Sequence, residues 1–152
     1  MANSEEKISE FVRNNLYNKP DPDAIPRMSR MLLVDRTITD INVKDSTYDD
    51  WTVLHYQAQF GTTGSVAWLL RQDPPPDIDV RDSSYDQYTP LMYAIDSNED
   101  PEGKVRLLLD HGADRDIKNM NGDTALDWAR RLNKPNASVI DMLENYRPDI
   151  SR

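Results

Sequence analysis

Three blocks of similar sequence recur in the same order three times along the chain, and this repetition limits the fold more than any other feature. The first block begins at Asp40, Asp77 and Asp114, a spacing of 37 residues each time. The second block begins at Thr52, Thr89 and Thr124. The third block is apolar and spans residues 66–70, 105–109 and 139–143. A period of this length is typical of stacked repeat units that share one continuous core.

Each block predicts a local structure. Thr before a run of helix formers predicts a helix start, because its hydroxyl accepts from a free backbone N–H, and Pro90 suits the first helical position. We expect these helices to end near Gly61, Asn98 and Asn133, since Gly and Asn best accept the left-handed conformation. The apolar block predicts a second helix, which Gly112 ends in the middle unit. The Asp-rich block then forms an extended arm to the next unit.

The repeated unit resembles the ankyrin repeat. The segment Thr89-Pro90-Leu91-Met92-Tyr93-Ala94 is similar to the Thr-Pro-Leu-His-x-Ala signature of that family, and Thr52-Val53-Leu54-His55 supplies the His. The segment Leu107-Leu108-Leu109-Asp110-His111-Gly112-Ala113-Asp114 resembles the family's second helix and its exit. The units depart from the usual length of about 33 residues, because a longer loop precedes the Thr in the first two.

The resemblance implies an all-α fold, an ankyrin-like helix-turn-helix solenoid of about four stacked units with extended finger loops. We expect a single domain, residues 1–152, with units at about 4–38, 39–76, 77–113 and 114–150. The unit at about 4–38 is a degenerate cap that precedes the three repeated units, and its apolar residues recur at helical spacing on both sides of a Pro-rich break.

Composition excludes several other classes of protein. The 152 residues carry a formal net charge of −9, which argues against a nucleic-acid-binding domain. They include no Cys, which excludes a protein held together by disulfides. No stretch is apolar for the ~18 residues of a membrane span, and the polar, acidic N-terminus is unlike a signal peptide. We therefore expect a monomer that is cytoplasmic, with the nucleus as the alternative, and that contacts neither membrane nor nucleic acid.

The sequence predicts no catalytic, cofactor-binding or metal-binding residues. His55 and His111 fall inside the repeat pattern, so we expect them to bond neighbouring backbone. The acidic pairs Asp77/Asp79 and Asp114/Asp116 could suggest a metal or paired-carboxylate site, but their place on the arms favours turns. The loop that starts at Asp96 lacks the Gly and Glu of a calcium loop. We therefore do not expect an enzyme.

The long loops before Thr52 and Thr89 share an unusual composition, and the resemblance implies that they form fingers beside a concave first-helix face. Large aromatic residues at exposed turns are typical of binding sites. The residue four positions after each Thr is also aromatic, and helical geometry places it away from the deepest core. An alternative is that these aromatic side chains only fill space between stacked units. The predicted partner-binding residues are Tyr48, Asp49, Asp50, Trp51, Tyr56, Tyr85, Asp86, Gln87, Tyr88, Tyr93 and Trp128.

The acidic excess is confined to the middle of the chain. Residues 46–116 contain 14 acidic and five basic side chains, whereas the segments on either side are close to neutral. We therefore predict a protein-protein interaction module that binds a basic segment or surface of a partner protein. One alternative is an assembly or chaperone-like sheath for a basic protein. The other, which the sequence favours less, is a small enzyme that depends on acidic residues or a metal.

Overall fold

The computed structural model describes Lys7, residues 40–46 and residues 48–148. Within these residues the chain forms six α-helices and no strand longer than one antiparallel bridge, between Asp45 and Trp51. The helices are α1 (Val53–Phe60), α2 (Thr63–Leu70), α3 (Pro90–Ile95), α4 (Pro101–Asp110), α5 (Ala125–Arg131) and α6 (Ala137–Asn145). The predicted all-α fold is confirmed for this part of the chain. The predicted capping unit at 4–38 lies, except for Lys7, outside the described residues.

The helices form three pairs that stack side by side. The first helices α1, α3 and α5 pack against one another in order, and the second helices α2, α4 and α6 do the same. Within each pair the two helices also pack together. The buried apolar side chains form one cluster that runs from Ile41 to Leu143. This is a solenoid, in which each unit buries its apolar surface against its neighbours.

The predicted helix starts are confirmed. Thr52, Thr89 and Thr124 are the N-cap residues of α1, α3 and α5. The hydroxyl oxygen of Thr89 accepts from the N–H of Met92 at 3.4 Å, and Pro90 occupies the first turn. This arrangement satisfies one of the backbone donors that a helix start leaves without an intrahelical partner.

The predicted helix ends are correct in part. Gly61 follows α1, but its φ is −82°, so the left-handed conformation expected there is wrong. Helices α3 and α5 end at Ile95 and Arg131, before the Asn residues that were expected to stop them. The N–H of Ser97 bonds back to the carbonyl of Ala94 at 3.3 Å, which closes α3 in a tight turn instead. Gly112 does adopt a left-handed φ of 89° after α4, as predicted.

The acidic residues of the arms form hydrogen-bonded turns within and between units. A carboxylate oxygen of Asp40 accepts from the N–H of Asn42 at 2.9 Å, and the two later arms repeat this turn. Asn42 in turn accepts from the N–H of Asp77 at 2.7 Å, and Asp79 accepts from the N–H of Asp114 at 2.9 Å. The interpretation of the acidic pairs as turn residues is therefore confirmed, and these bonds tie each arm to the next.

A buried lysine also joins the first unit to the second. The ammonium of Lys104, on α4, donates to the carbonyl of Gly61 at 2.8 Å and to the hydroxyl of Ser97 at 2.6 Å. The hydroxyl of Ser97 in turn donates to the carbonyl of Gln59 at 2.9 Å. Burial lowers the pKa of Lys104 to about 8. The end of α1 therefore receives its donors from the following unit, a contact that no sequence pattern predicted.

His55 has the structural role that its place in the repeat predicts. Its Nδ1 accepts from the N–H of Thr52 at 3.0 Å, and the side chain is fully buried. Burial lowers the pKa of His55 to about 4, and the nearby Asp82 carboxylate only partly opposes this shift. The imidazole is therefore neutral in the folded protein, and protonation at Nδ1 would remove the acceptor for Thr52.

We expect acid to destabilise the protein through His55. Below an ordinary histidine pKa of about 6.5 the unfolded chain takes up a proton that the folded protein excludes until about pH 4, so the free energy of unfolding falls as the pH falls. Between about pH 7.5 and 5 the loss should be about 2 kcal/mol, measured by urea denaturation. The His111→Gln variant should keep the whole effect. A free energy of unfolding that does not change over this range would contradict the assignment.

Candidate functional site

The three loops that precede the first helices form the hairpin-like fingers expected from the sequence. Finger 1 is residues 45–51, finger 2 is residues 82–88 and finger 3 is residues 119–123. In each finger the N–H of the first residue donates to the carbonyl of the last. The donor and acceptor pairs are Asp45 to Trp51 at 2.9 Å, Asp82 to Tyr88 at 3.1 Å and Asn119 to Asp123 at 2.9 Å. The three fingers therefore share one closing bond despite their different lengths.

Several predicted binding residues shape the finger backbone. Asp49 and Asp50 have positive φ values of 49° and 55°, and Gln87 has a φ of 54°. Finger 3 reaches its turn with Gly122, whose φ is 81°. The left-handed region is sparsely populated by residues other than Gly, Asn and Asp. Asp49, Asp50 and Gln87 therefore shape the turns of fingers 1 and 2 through their backbone, and this role is independent of the contacts of their side chains.

Neighbouring fingers are joined by backbone hydrogen bonds. The N–H of Ser83 donates to the carbonyl of Asp49 at 2.7 Å, and the N–H of Met120 donates to the carbonyl of Asp86 at 2.9 Å. The side-chain amide of Asn121 also donates to the Asp86 carboxylate at 2.8 Å. The fingers therefore form one continuous row along the stack, and they keep a fixed spacing.

A buried carboxylate joins each long finger to its first helix. The hydroxyl of Tyr56 donates to Asp45 at 2.8 Å, and the hydroxyl of Tyr93 donates to Asp82, with the same separation of 11 residues. Burial, followed by the hydrogen bond and charge of the carboxylate, raises the pKa of both tyrosines. Asp82 also accepts from the N–H of Tyr88 at 3.1 Å, so one carboxylate fixes finger and helix together.

The aromatic side chains of the fingers and first helices contact one another across the units, in tilted and edge-to-face arrangements. The ring of Trp51 lies 4.4 Å from that of Tyr93 in the next unit, measured between centroids. Tyr93 then lies 5.6 Å from Tyr88, and Tyr88 lies 4.9 Å from Trp128 in the third unit. We call this set the aromatic ladder. It links the three units on the side where the fingers meet the first helices.

A family model for ankyrin repeats, in three copies, matches residues 26–114 and 76–151. This match covers most of the chain, and the stacked helix pairs and the finger row agree with it. The chain belongs to the ankyrin-repeat family. Ankyrin repeats generally mediate protein-protein interaction and are typically non-enzymatic. No curated protein matches the chain.

The ankyrin stack buries two aromatic residues that were expected to be exposed. Trp51 is only 5% exposed and Tyr56 only 1%, so the prediction that they anchor a partner directly is wrong. The hydrogen bond to Asp45 draws the Tyr56 ring into the interior, and Trp51 packs against Tyr93 of the next unit. For these two residues the alternative interpretation, packing between units, is the correct one.

The other predicted residues are distributed between the surface and the ladder. Tyr85, near the tip of finger 2, is 89% exposed, and Asp49 of finger 1 is also exposed. Burial and the neighbouring Asp86 raise the pKa of Tyr88 to about 12. The half-buried residues of the set are Tyr48, Asp50, Asp86, Gln87, Tyr88, Tyr93 and Trp128.

Two exposed apolar residues on this side of the ankyrin stack were not predicted from the sequence. Phe60, at the end of α1, is 53% exposed, and Met120 of finger 3 is 60% exposed. Phe60 follows Tyr56 by one helical turn, so the spacing that selected Tyr56 could have selected it as well, although the Tyr56 ring is buried and the Phe60 ring is exposed. Met120 has no such signal, because its exposure depends on how finger 3 lies against finger 2.

Within Lys7 and residues 40–46 and 48–148, no three His, Cys, Asp or Glu side chains are arranged to hold a metal ion. No helix in this part of the chain combines the length and the apolar character needed to cross a membrane.

We expect the Tyr93→Phe variant to unfold more easily than the natural protein by about 1.5–3 kcal/mol, because the buried Asp82 carboxylate loses a donor. Guanidinium denaturation followed by Trp fluorescence measures this difference. The matched control is Tyr85→Phe, which removes an exposed hydroxyl and should change the free energy of unfolding by less than about 0.5 kcal/mol. Equal losses in the two variants would show that the carboxylate contact does not stabilise the fold.

Proposed function

We propose that this protein binds a partner protein through the three fingers and the exposed side of the first helices, and that the partner presents a segment both basic and apolar. The observation that carries this proposal is the position of the exposed apolar side chains. In the described part of the chain the large ones are Phe60, Tyr85 and Met120, and all three belong to a first helix or a finger.

The large exposed apolar side chains are not spread over the whole stack. The second helices α2, α4 and α6 contribute no large apolar side chain to the exposed set among the described residues. Exposed apolar residues that occur singly need no explanation, but a group on one side of a repeat stack supports an interaction role for that side. Tyr85 is the strongest candidate, because tyrosine combines a large apolar ring with a polar tip and is enriched at energetically important contacts.

The charge of the same units supports a basic partner. The excess of acidic side chains falls within residues 46–116, which include fingers 1 and 2. Asp49 extends from finger 1 as an exposed carboxylate, and Asp86 lies beside Tyr85 in finger 2. Such charges mainly speed association and orient the partner, whereas the apolar contacts supply most of the affinity.

Four buried or half-buried members of the predicted set support this surface from within. Trp51 and Tyr56 hold finger 1 against α1, and Tyr93 and Tyr88 hold finger 2 between its neighbours. Alanine at Trp51 would create a cavity in the core, so a loss of binding in that variant would report unfolding as well as contact. The informative substitutions are those at exposed positions.

The test uses fluorescein-labelled short synthetic peptides built from Lys, Arg, Leu and Ala, with a second set in which Glu replaces Lys and Arg. We expect saturable binding of the basic set alone, measured by fluorescence polarisation and weakened by salt. Tyr85→Ala should weaken binding by at least about fivefold, and Asp49→Asn by about two- to threefold.

The matched control for charge is Asp141→Asn, which removes an exposed carboxylate from the second helix α6 and should leave peptide affinity unchanged. Thermal unfolding checks that each variant is folded. Equal affinity for the two peptide sets, or unchanged affinity in folded Tyr85→Ala and Met120→Ala variants, would refute the proposal.

A further inference from the structure

An open cleft of about 640 Å³ lies where the first helices α3 and α5 end and the second helices α4 and α6 begin. The ring of Trp128, the last member of the aromatic ladder, forms part of its wall. Trp128 is in contact with Tyr88 of finger 2, at 4.9 Å between ring centroids. The cleft is therefore continuous, through one side chain, with the surface proposed to bind the partner.

The cleft contains three hydrogen-bond-donating side chains that the protein itself does not use. Lys134, Asn98 and Asn133 line it, all three are exposed, and none has a hydrogen bond or ion pair among the described residues. The carboxylate of Asp96 also lines the cleft without a side-chain partner in this part of the chain, whereas other polar groups of the wall are engaged. Arg131 is paired with Asp123 at 2.7 Å, and the Asn136 amide donates to Glu102 at 2.7 Å.

The charged side chains of the cleft leave one cation for a ligand. Its lining includes two cations, Lys134 and Arg131, and one carboxylate, Asp96. Because Arg131 is paired with Asp123, Lys134 is the cation that a ligand can pair with. Together with the side-chain amides of Asn98 and Asn133, which line the same cleft, this ammonium supplies the kind of donors that a carboxylate accepts from.

We propose that the cleft binds an acidic side chain, Asp or Glu, of the partner segment. Lys134 pairs with the carboxylate, the side-chain amides of Asn98 and Asn133 donate to it, and the Trp128 ring packs against the aliphatic part of the side chain. The inference rests on the proposed function for the source of that side chain. It also gives the bound segment a direction, with basic residues at the fingers and the acidic residue at the cleft between α3 and α5.

The test needs no partner. N-acetylglutamate N-methylamide is titrated into ¹⁵N-labelled protein, with the glutamine and lysine analogues as matched ligands. We expect saturable shifts in the side-chain amide signals of Asn98 and Asn133 with the glutamate analogue, weaker shifts with the glutamine analogue, and none with the lysine analogue. Lys134→Gln should weaken binding about three- to fivefold, the range for an exposed ion pair.

Two further variants sharpen the result. Lys118→Gln removes an exposed lysine that does not line the cleft, so it should leave the affinity unchanged. Asp96→Asn should tighten binding, because it removes the one carboxylate that opposes the ligand. Lysine-analogue binding in the cleft, or equal effects of the Lys134 and Lys118 variants, would overturn the proposal. Binding of N-acetylalanine alone would also overturn it, since the cleft would then select a chain terminus.

This outcome is separable from that of the proposed function. The Tyr85→Ala variant should bind the glutamate analogue with unchanged affinity, because Tyr85 does not line the cleft. If the basic peptides fail to bind while the glutamate analogue binds, the finger surface is refuted and the carboxylate site stands. If the peptides bind and the analogue does not, the reverse holds.

Discussion

The hydrogen bond between a finger aspartate and the tyrosine 11 residues later is the contact on which the rest of this structure depends. It fixes each long finger to its own first helix, and it draws the tyrosine ring into the interior. That position lets Trp51 pack against Tyr93 of the next unit. The third unit has Asn119 and Trp128 at the equivalent positions, so the acid and the hydroxyl are replaced together. A buried carboxylate without its donor would be costly, which explains why neither partner is replaced alone in these units.

These contacts separate the aromatic residues into a buried group and an exposed one. Trp51 and Tyr56 stabilise the stack from within, whereas Tyr85 is directed to solvent from a finger that the neighbouring units hold rigid. A rigid loop loses little conformational entropy when a partner binds, so an exposed aromatic side chain on it contributes more of its contact energy to affinity. The proposed function therefore combines buried acid-tyrosine pairs that hold the scaffold with a small exposed set that makes the contacts.

The fold could be predicted from the sequence because its determinants are local and repeated. The Thr caps, the Asp turns of the arms and the left-handed Gly112 each follow from the preferences of a few adjacent residues. The side chains of the candidate site could not be predicted in the same way. Whether Tyr56 faces solvent depends on a carboxylate 11 residues away, and the burial of Trp51 depends on a ring in another unit. Helical periodicity alone cannot distinguish a ring that faces solvent from one that faces the next repeat.

Lys104 has a consequence for how such a chain can change. The end of α1 is completed by an ammonium and a hydroxyl that belong to the next unit. A first unit transplanted next to a different neighbour would keep its own helices but would leave the carbonyls of Gln59 and Gly61 without these donors. The units of this protein are therefore not interchangeable. Their order along the chain is specified by the hydrogen bonds between neighbouring units as well as by the shape of each unit.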